Sequence, residues 1–199
     1  MKEQINMVYI DDSPDVTLEE YLDNYVSDEY EMVFESILYR PEEGYDSLLN
    51  DPKVQRANIV FIDSKLFENR TRTNERVQGE QIKLVMKNIF PYIEVVIVTQ
   101  NEMNPDIQMI EKYKRSNTDI QPQQYYSNII PSYINDAIIR IKENRIIGQQ
   151  FSENENWDKL LKDRILAALK GSNKYEGLNK ADIDELVNAF KRIQEKLDA

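Results

Sequence analysis

Three aspartates stand where two apolar runs stop. Ile5-Asn6-Met7-Val8-Tyr9-Ile10 runs into Asp11-Asp12, and Asn58-Ile59-Val60-Phe61-Ile62 runs into Asp63. Short β-rich runs that end abruptly on an acid read as buried parallel strands with the acid at the carboxyl end. In an open α/β sheet, ligand sites lie just outside those ends. The sequence therefore gathers three carboxylates at one sheet edge. Such a cluster repels itself unless a cation sits in it, and an all-oxygen ligand set favours Mg²⁺ or a similar hard ion.

The elements that position these acids alternate along the chain. Strand one is expected at Gln4–Ile10 and a helix from about Pro14 to Tyr25, with Ser13 as N-cap and Asp15 in its first turn. Glu31–Tyr39 reads as strand two, Tyr45–Leu49 as a short helix stopped by Asn50-Asp51-Pro52, and Asn58–Ile62 as strand three. A long polar stretch, Ser64 to Gln78, precedes a helix opening at Gly79-Glu80 and ending at Pro91. Ile93–Val98 is a nearly continuous apolar strand that stops at Thr99. Asn104-Pro105 opens a fourth helix through about Lys114, strand five is expected within Thr118–Asn128, and Ser132–Ile147 is an amphipathic helix. This βα alternation predicts a flavodoxin-like doubly wound five-stranded parallel sheet over residues 1–148.

Gly148 to Asn154 reads as a polar linker, followed by two helices, Trp157–Leu169 and Lys180–Leu197, that make residues 149–199 a helical C-terminal extension. A two-helix hairpin cannot bury both apolar faces alone. The extension is therefore expected to pack on a protein partner or on a second copy of the chain, with folding back onto its own first domain as the alternative.

Composition limits the chemistry. The chain has 199 residues, 41% hydrophobic and 31% charged, with no cysteine and no histidine. Disulfides, thiolate metal sites and Ser-His or Cys-His catalysis are excluded. The net charge is −11. Residues 1–150 carry 26 acidic and 16 basic groups, and residues 151–199 carry 10 and 9, so neither segment has a basic footprint for nucleic acid. No apolar run approaches the ~18–20 residues of a membrane span. The first strand begins too early for a signal peptide, which points to a cytoplasmic protein.

Together these residues resemble the receiver domain of two-component response regulators, over roughly residues 4–147. Asp11-Asp12 resembles the acidic pair that holds Mg²⁺, and Asp63 the phospho-accepting aspartate. Gly79-Glu80-Gln81-Ile82 resembles the start of the third helix, and Thr99 the hydroxyl residue that contacts the phosphoryl group. The resemblance implies Asp63 as acceptor, with Mg²⁺ on Asp11, Asp12, Asp63 and the main-chain carbonyl of Lys65. It also implies a histidine kinase or other phosphodonor upstream and a signalling protein rather than a metabolic enzyme. Two features depart from the family. Gly79 lies sixteen positions after Asp63, so the loop beside the acceptor is enlarged. The family ends strand five on a lysine, and here the expected place falls on Gln121-Pro122, or on Ser127 or Asn128 if the strand is Gln124–Asn128. Neither reading supplies lysine. A receiver fold without it would act as a docking or dimerisation module independent of phosphorylation, which is the alternative reading. A haloacid-dehalogenase-type phosphatase needs a second acid two positions after its nucleophile, and positions 13 and 65 are Ser and Lys. A DNA-binding output lacks its basic helix, because Asp182, Asp184, Glu185 and Glu195 offset Lys191, Arg192 and Lys196.

Overall fold

The structure is a computed structural model and describes residues 2–66, 78–100, 107–114 and 120–172. Most of the long loop, the Asn104-Pro105 pair and the helix expected over Lys180–Leu197 lie outside the described residues. Five strands form one parallel sheet in the order β2-β1-β3-β4-β5. They are β1 (Glu3–Asp11), β2 (Tyr30–Leu38), β3 (Ile59–Asp63), β4 (Glu94–Thr99) and β5 (Met109–Glu111). The helices are α1 (Val16–Asp23), α2 (Gly44–Asn50), α3 (Pro52–Arg56), α4 (Gly79–Ile89), α5 (Pro122–Glu153) and α6 (Lys159–Leu169). This is the flavodoxin-like α/β fold expected from the alternation, with C-terminal helices added. Among the described residues, no helix is long and apolar enough to cross a membrane.

Side chains alternate across the sheet, so each strand feeds two cores. Val8, Ile10, Val60, Ile62, Val95 and Ile97 face Leu48, Leu49, Val54, Ile82, Met86 and Phe90 from α2, α3 and α4 with its C-cap. Ile5, Met7, Tyr9, Phe61, Val96 and Val98 face Leu18 and Leu22 of α1 and Tyr126, Ile130, Ile134, Ala137 and Ile141 of α5. Burying a large apolar side chain is worth roughly 1.5–3 kcal/mol. The continuous apolar runs of β3 and β4 are what a strand covered on both faces requires.

The register then sets the site. Ile10 lies opposite Ile62 across the β1–β3 pair, so Asp11 and Asp63 leave the sheet at the same level. Thr99 lies opposite Glu111 across the β4–β5 pair, which puts residue 112 just past the end of β4.

Several local expectations are corrected. Residues 107–114, read as the end of a helix, contain β5 instead. Strand five is therefore not within Thr118–Asn128, and Gln124–Asn128 lies in the first turns of α5. Asp15, not Ser13, caps α1, its carboxylate accepting from the amides of Thr17 and Leu18 at 2.9 and 3.1 Å. Most of the expected linker Gly148–Asn154 is helical, because α5 runs on to Glu153, and the boundary expected at residue 148 falls inside that helix. Gly148 is where α6 returns onto α5: a Cβ there would meet Leu169 Cδ1 at 2.4 Å. Thus the first helix of the extension folds back onto its own chain.

Gly79 has a stricter requirement. A Cβ there would lie 2.2 Å from the carbonyl oxygen of Asp63, and its amide donates to the Ser64 carbonyl at 3.0 Å. The start of α4 is thereby pressed against the backbone at the carboxyl end of β3. Backbone cannot move aside as the tip of a leucine can. Gly79→Ala is expected to destabilise the protein by roughly 1–3 kcal/mol in urea unfolding. Gly148→Ala, whose methyl meets only a rotatable Leu169 tip and gains helix propensity, is expected to change stability by less than about 1 kcal/mol. Equal effects at the two positions would contradict this packing.

Candidate functional site

Asp11, Asp12 and Asp63 converge. One carboxylate oxygen from each lies within 4.8 Å of the others, an arrangement able to hold a metal ion. They line a cleft of about 140 Å³ together with Ser13, Ser64, Lys65, Gln100 and Lys112. The backbone fastens its walls. The Tyr39 amide donates to the Asp11 carbonyl at 2.8 Å, Ser64 to Val98 at 2.8 Å, and Lys112 to Thr99 at 2.7 Å.

Lys112 is the cation that sequence reasoning missed. It is almost fully buried, and its Nζ lies 2.7 Å from Asp11 Oδ2 and 2.6 Å from Asp63 Oδ1. It follows β5 directly, so it stands where the resemblance places the strand-five lysine. Gln121, assigned to that place, is exposed at the start of α5 and does not line the cleft. The signal was present as Met109-Ile110-Glu111-Lys112, thirteen residues beyond Thr99. A three-residue strand is too short to show a period.

Each carboxylate has a different setting. Asp11 is buried and saturated: Oδ1 accepts from the Ser13 amide at 2.9 Å, and Oδ2 accepts from Lys112 and from the Tyr9 hydroxyl. Asp63 Oδ2 accepts from the Lys65 amide at 2.7 Å, and Oδ1 from Lys112. Asp12 is half-exposed. Lys65 lines the cleft, as required of a residue offering its main-chain carbonyl there. Thr99 is buried and not among the lining residues, and its Oγ1 accepts from the Ser64 hydroxyl at 2.9 Å. Ser64 therefore stands between Thr99 and the cleft.

The charges do not balance. Three carboxylates meet here, Lys112 pairs with two of them, and Lys65 lines the same cleft. Two such carboxylates 4.8 Å apart repel by about 3.5 kcal/mol at an effective dielectric of about 20, less where water screens Asp12. The titrations follow. Burial, then the neighbouring Asp11 and Asp63 charges, push Asp12 upward from the ordinary carboxylate range. Burial pushes Asp63 upward, and Lys112 only partly offsets it. Burial pushes Lys112 downward, but Asp63 and Asp11 outweigh it and raise the ammonium above its ordinary value. Burial drives both carboxyl shifts, the neighbouring acids add to them and also raise Lys112, and a divalent cation would offset their negative charge.

The sign for stability follows. A carboxyl whose folded pKa is raised binds protons more readily folded than unfolded, so stability falls as pH rises through the window between the two values. In EDTA, the wild type is expected to lose stability between the ordinary carboxylate range and neutrality, relative to Asp12→Asn. At neutral pH Asp12→Asn should then have the higher Tm without metal. Thermal melts of both proteins over that range test this. A lower Tm for Asp12→Asn at neutral pH would contradict the charge excess.

Comparisons of the chain with protein-family models and with curated protein sequences gave no match.

Proposed function

We propose that this chain is a receiver-like signalling module in which Asp63 accepts a phosphoryl group with Mg²⁺ as the bound cation. One observation carries the reading: a buried lysine following β5, Lys112, bridges Asp11 and Asp63 beside a third carboxylate. The docking-only alternative rested on the lack of such a lysine.

The residues fit the chemistry of phosphoryl transfer to a carboxylate. An oxygen of Asp63 attacks phosphorus, the new Asp–phosphate bond forms, and the bond from phosphorus to the donor's leaving group breaks with its electron pair. Asp12, Asp63 and the Lys65 carbonyl would hold Mg²⁺, with Asp11 beside it, and the bound ion would supply charge neutralisation for the acids and the phosphoryl oxygens. Lys112 donates to a phosphoryl oxygen while Asp11 retains its other contact. The Thr99 hydroxyl exchanges its Ser64 partner for a phosphoryl oxygen and carries the change to the loop beyond β4. The upstream partner is a histidine kinase or another phosphodonor, and no nucleic acid or membrane takes part.

Output runs through the C-terminal helices to a protein partner, with a second copy the first choice. Trp157, Leu160 and Leu161 remain 50%, 78% and 43% exposed, even though α6 already returns onto α5.

Incubation with acetyl phosphate and Mg²⁺ is expected to add one phosphoryl group by intact mass, with none in Asp63→Asn and a rate about a hundredfold lower in Lys112→Ala. Metal-loaded wild type that acquires no adduct would return the docking-only reading. Light scattering at tens of micromolar is expected to give a dimer that Leu160→Glu/Leu161→Glu converts to monomer (ordinary dimer affinities fall near this range). A monomeric wild type would remove self-association.

A further inference from the structure

Tyr9 lies in β1, inside the core shared with α1 and α5, and only 1% of it is exposed. A strand residue buried between two helices needs no hydroxyl for packing, and an unpaired one would cost free energy. Its hydroxyl instead donates to Asp11 Oδ2, the oxygen that also accepts from Lys112. The same hydroxyl accepts from the Asp15 amide at 3.3 Å. Asp15, the N-cap of α1, accepts on Oδ2 from the Tyr126 hydroxyl at 2.6 Å. Tyr126 is fully buried at the start of α5, and its oxygen accepts from the Tyr113 amide at 2.9 Å. Tyr113 is the residue after Lys112.

These contacts close a circuit. From the Lys112 ammonium it passes to Asp11, Tyr9, Asp15 and Tyr126, and returns to the backbone beside Lys112 through Tyr113. Lysine has a flexible four-carbon stem; outside the circuit Lys112 is held by Asp63 at the ammonium and by its own amide on the Thr99 carbonyl. β5 has three residues, too few to anchor it alone.

We propose that Tyr9 and Tyr126 are positioning residues that hold Lys112 at both ends, Tyr9 through Asp11 at the ammonium and Tyr126 through Tyr113 at the backbone. The circuit also fixes the Asp11 carboxylate, whose Oδ2 takes both the Tyr9 hydroxyl and the Lys112 ammonium. It rests on the proposed phosphoryl-accepting function only for what Lys112 then does with a phosphoryl oxygen.

The test uses the full chain with Tyr9→Phe, Tyr126→Phe and the double variant, each of which keeps the ring that packs the core. The first readout needs no phosphorylation: hydrogen exchange of the Lys112 ammonium, followed by ¹⁵N–¹H NMR in ¹⁵N-lysine protein and assigned with Lys112→Arg. Each single variant is expected to accelerate that exchange by about tenfold, the scale of one lost hydrogen bond to a charged group. The double variant should do little more, because both act on one circuit. The second readout is adduct formation from acetyl phosphate at saturating Mg²⁺, expected to slow in both single variants while the Mg²⁺ dissociation constant stays within about threefold. Unchanged ammonium exchange in either folded single variant would overturn the proposal, as would fully additive effects in the double variant. Altered exchange without adduct in the wild type would uphold the circuit and reject the phosphoryl-accepting function.

Discussion

A single buried ammonium holds this site together. Lys112 sits between Asp11 and Asp63, its ammonium 2.7 and 2.6 Å from their carboxylate oxygens. Removing one member of a buried ion pair leaves an uncompensated charge, which is far more costly than losing the pair as a whole. The carboxyl ends of β1, β3 and β5 are therefore coupled electrostatically as well as through the sheet. Asp12 adds a third carboxylate beside the pair that Lys112 bridges. The site is stable enough to form and short enough of positive charge to take up a divalent ion.

The sheet makes this arrangement nearly obligatory. Parallel pairing sets Asp11 level with Asp63, and β4 lies between Asp63 and the residue after β5. Strands about 4.8 Å apart put Lys112 two strands from Asp63, a span that a lysine stem covers and a shorter side chain does not. Gly79 then lets α4 close against the Asp63 carbonyl, so the enlarged loop returns to the same backbone from which it leaves.

Much of this was legible in the sequence, for a physical reason. β1, β3 and β4 appear as largely apolar runs because both their faces are covered, and the acids that end β1 and β3 mark the candidate site. Asp11, Asp12 and Asp63 were found that way. β5 was not, because Met109–Glu111 offers three residues on a sheet margin and Asn104-Pro105 before it imitates a helix start. The paired tyrosines Tyr125-Tyr126 imitated a strand in turn, although their rings pack edge to face in α5. Misplacing β5 hid Lys112 and made Gln121 stand for it. Gly148 suggested a linker because glycine is rare inside helices, whereas its role is to admit Leu169. Tyr9 gave no polar signal at all: a tyrosine in an apolar run reads as core, and only the fold shows its hydroxyl reaching Asp11.

The central claim is that Asp63 is a nucleophile made usable by Lys112 and a divalent cation. An aspartyl phosphate is reduced by borohydride to homoserine, which marks the acceptor at the residue where it forms. The direct measurement is peptide mass spectrometry of the Mg²⁺-loaded protein after acetyl phosphate and borohydride treatment. Homoserine at position 63 alone, lost when Mg²⁺ is replaced by EDTA, is the predicted result. An unmodified position 63, or homoserine at another acid, would contradict the account.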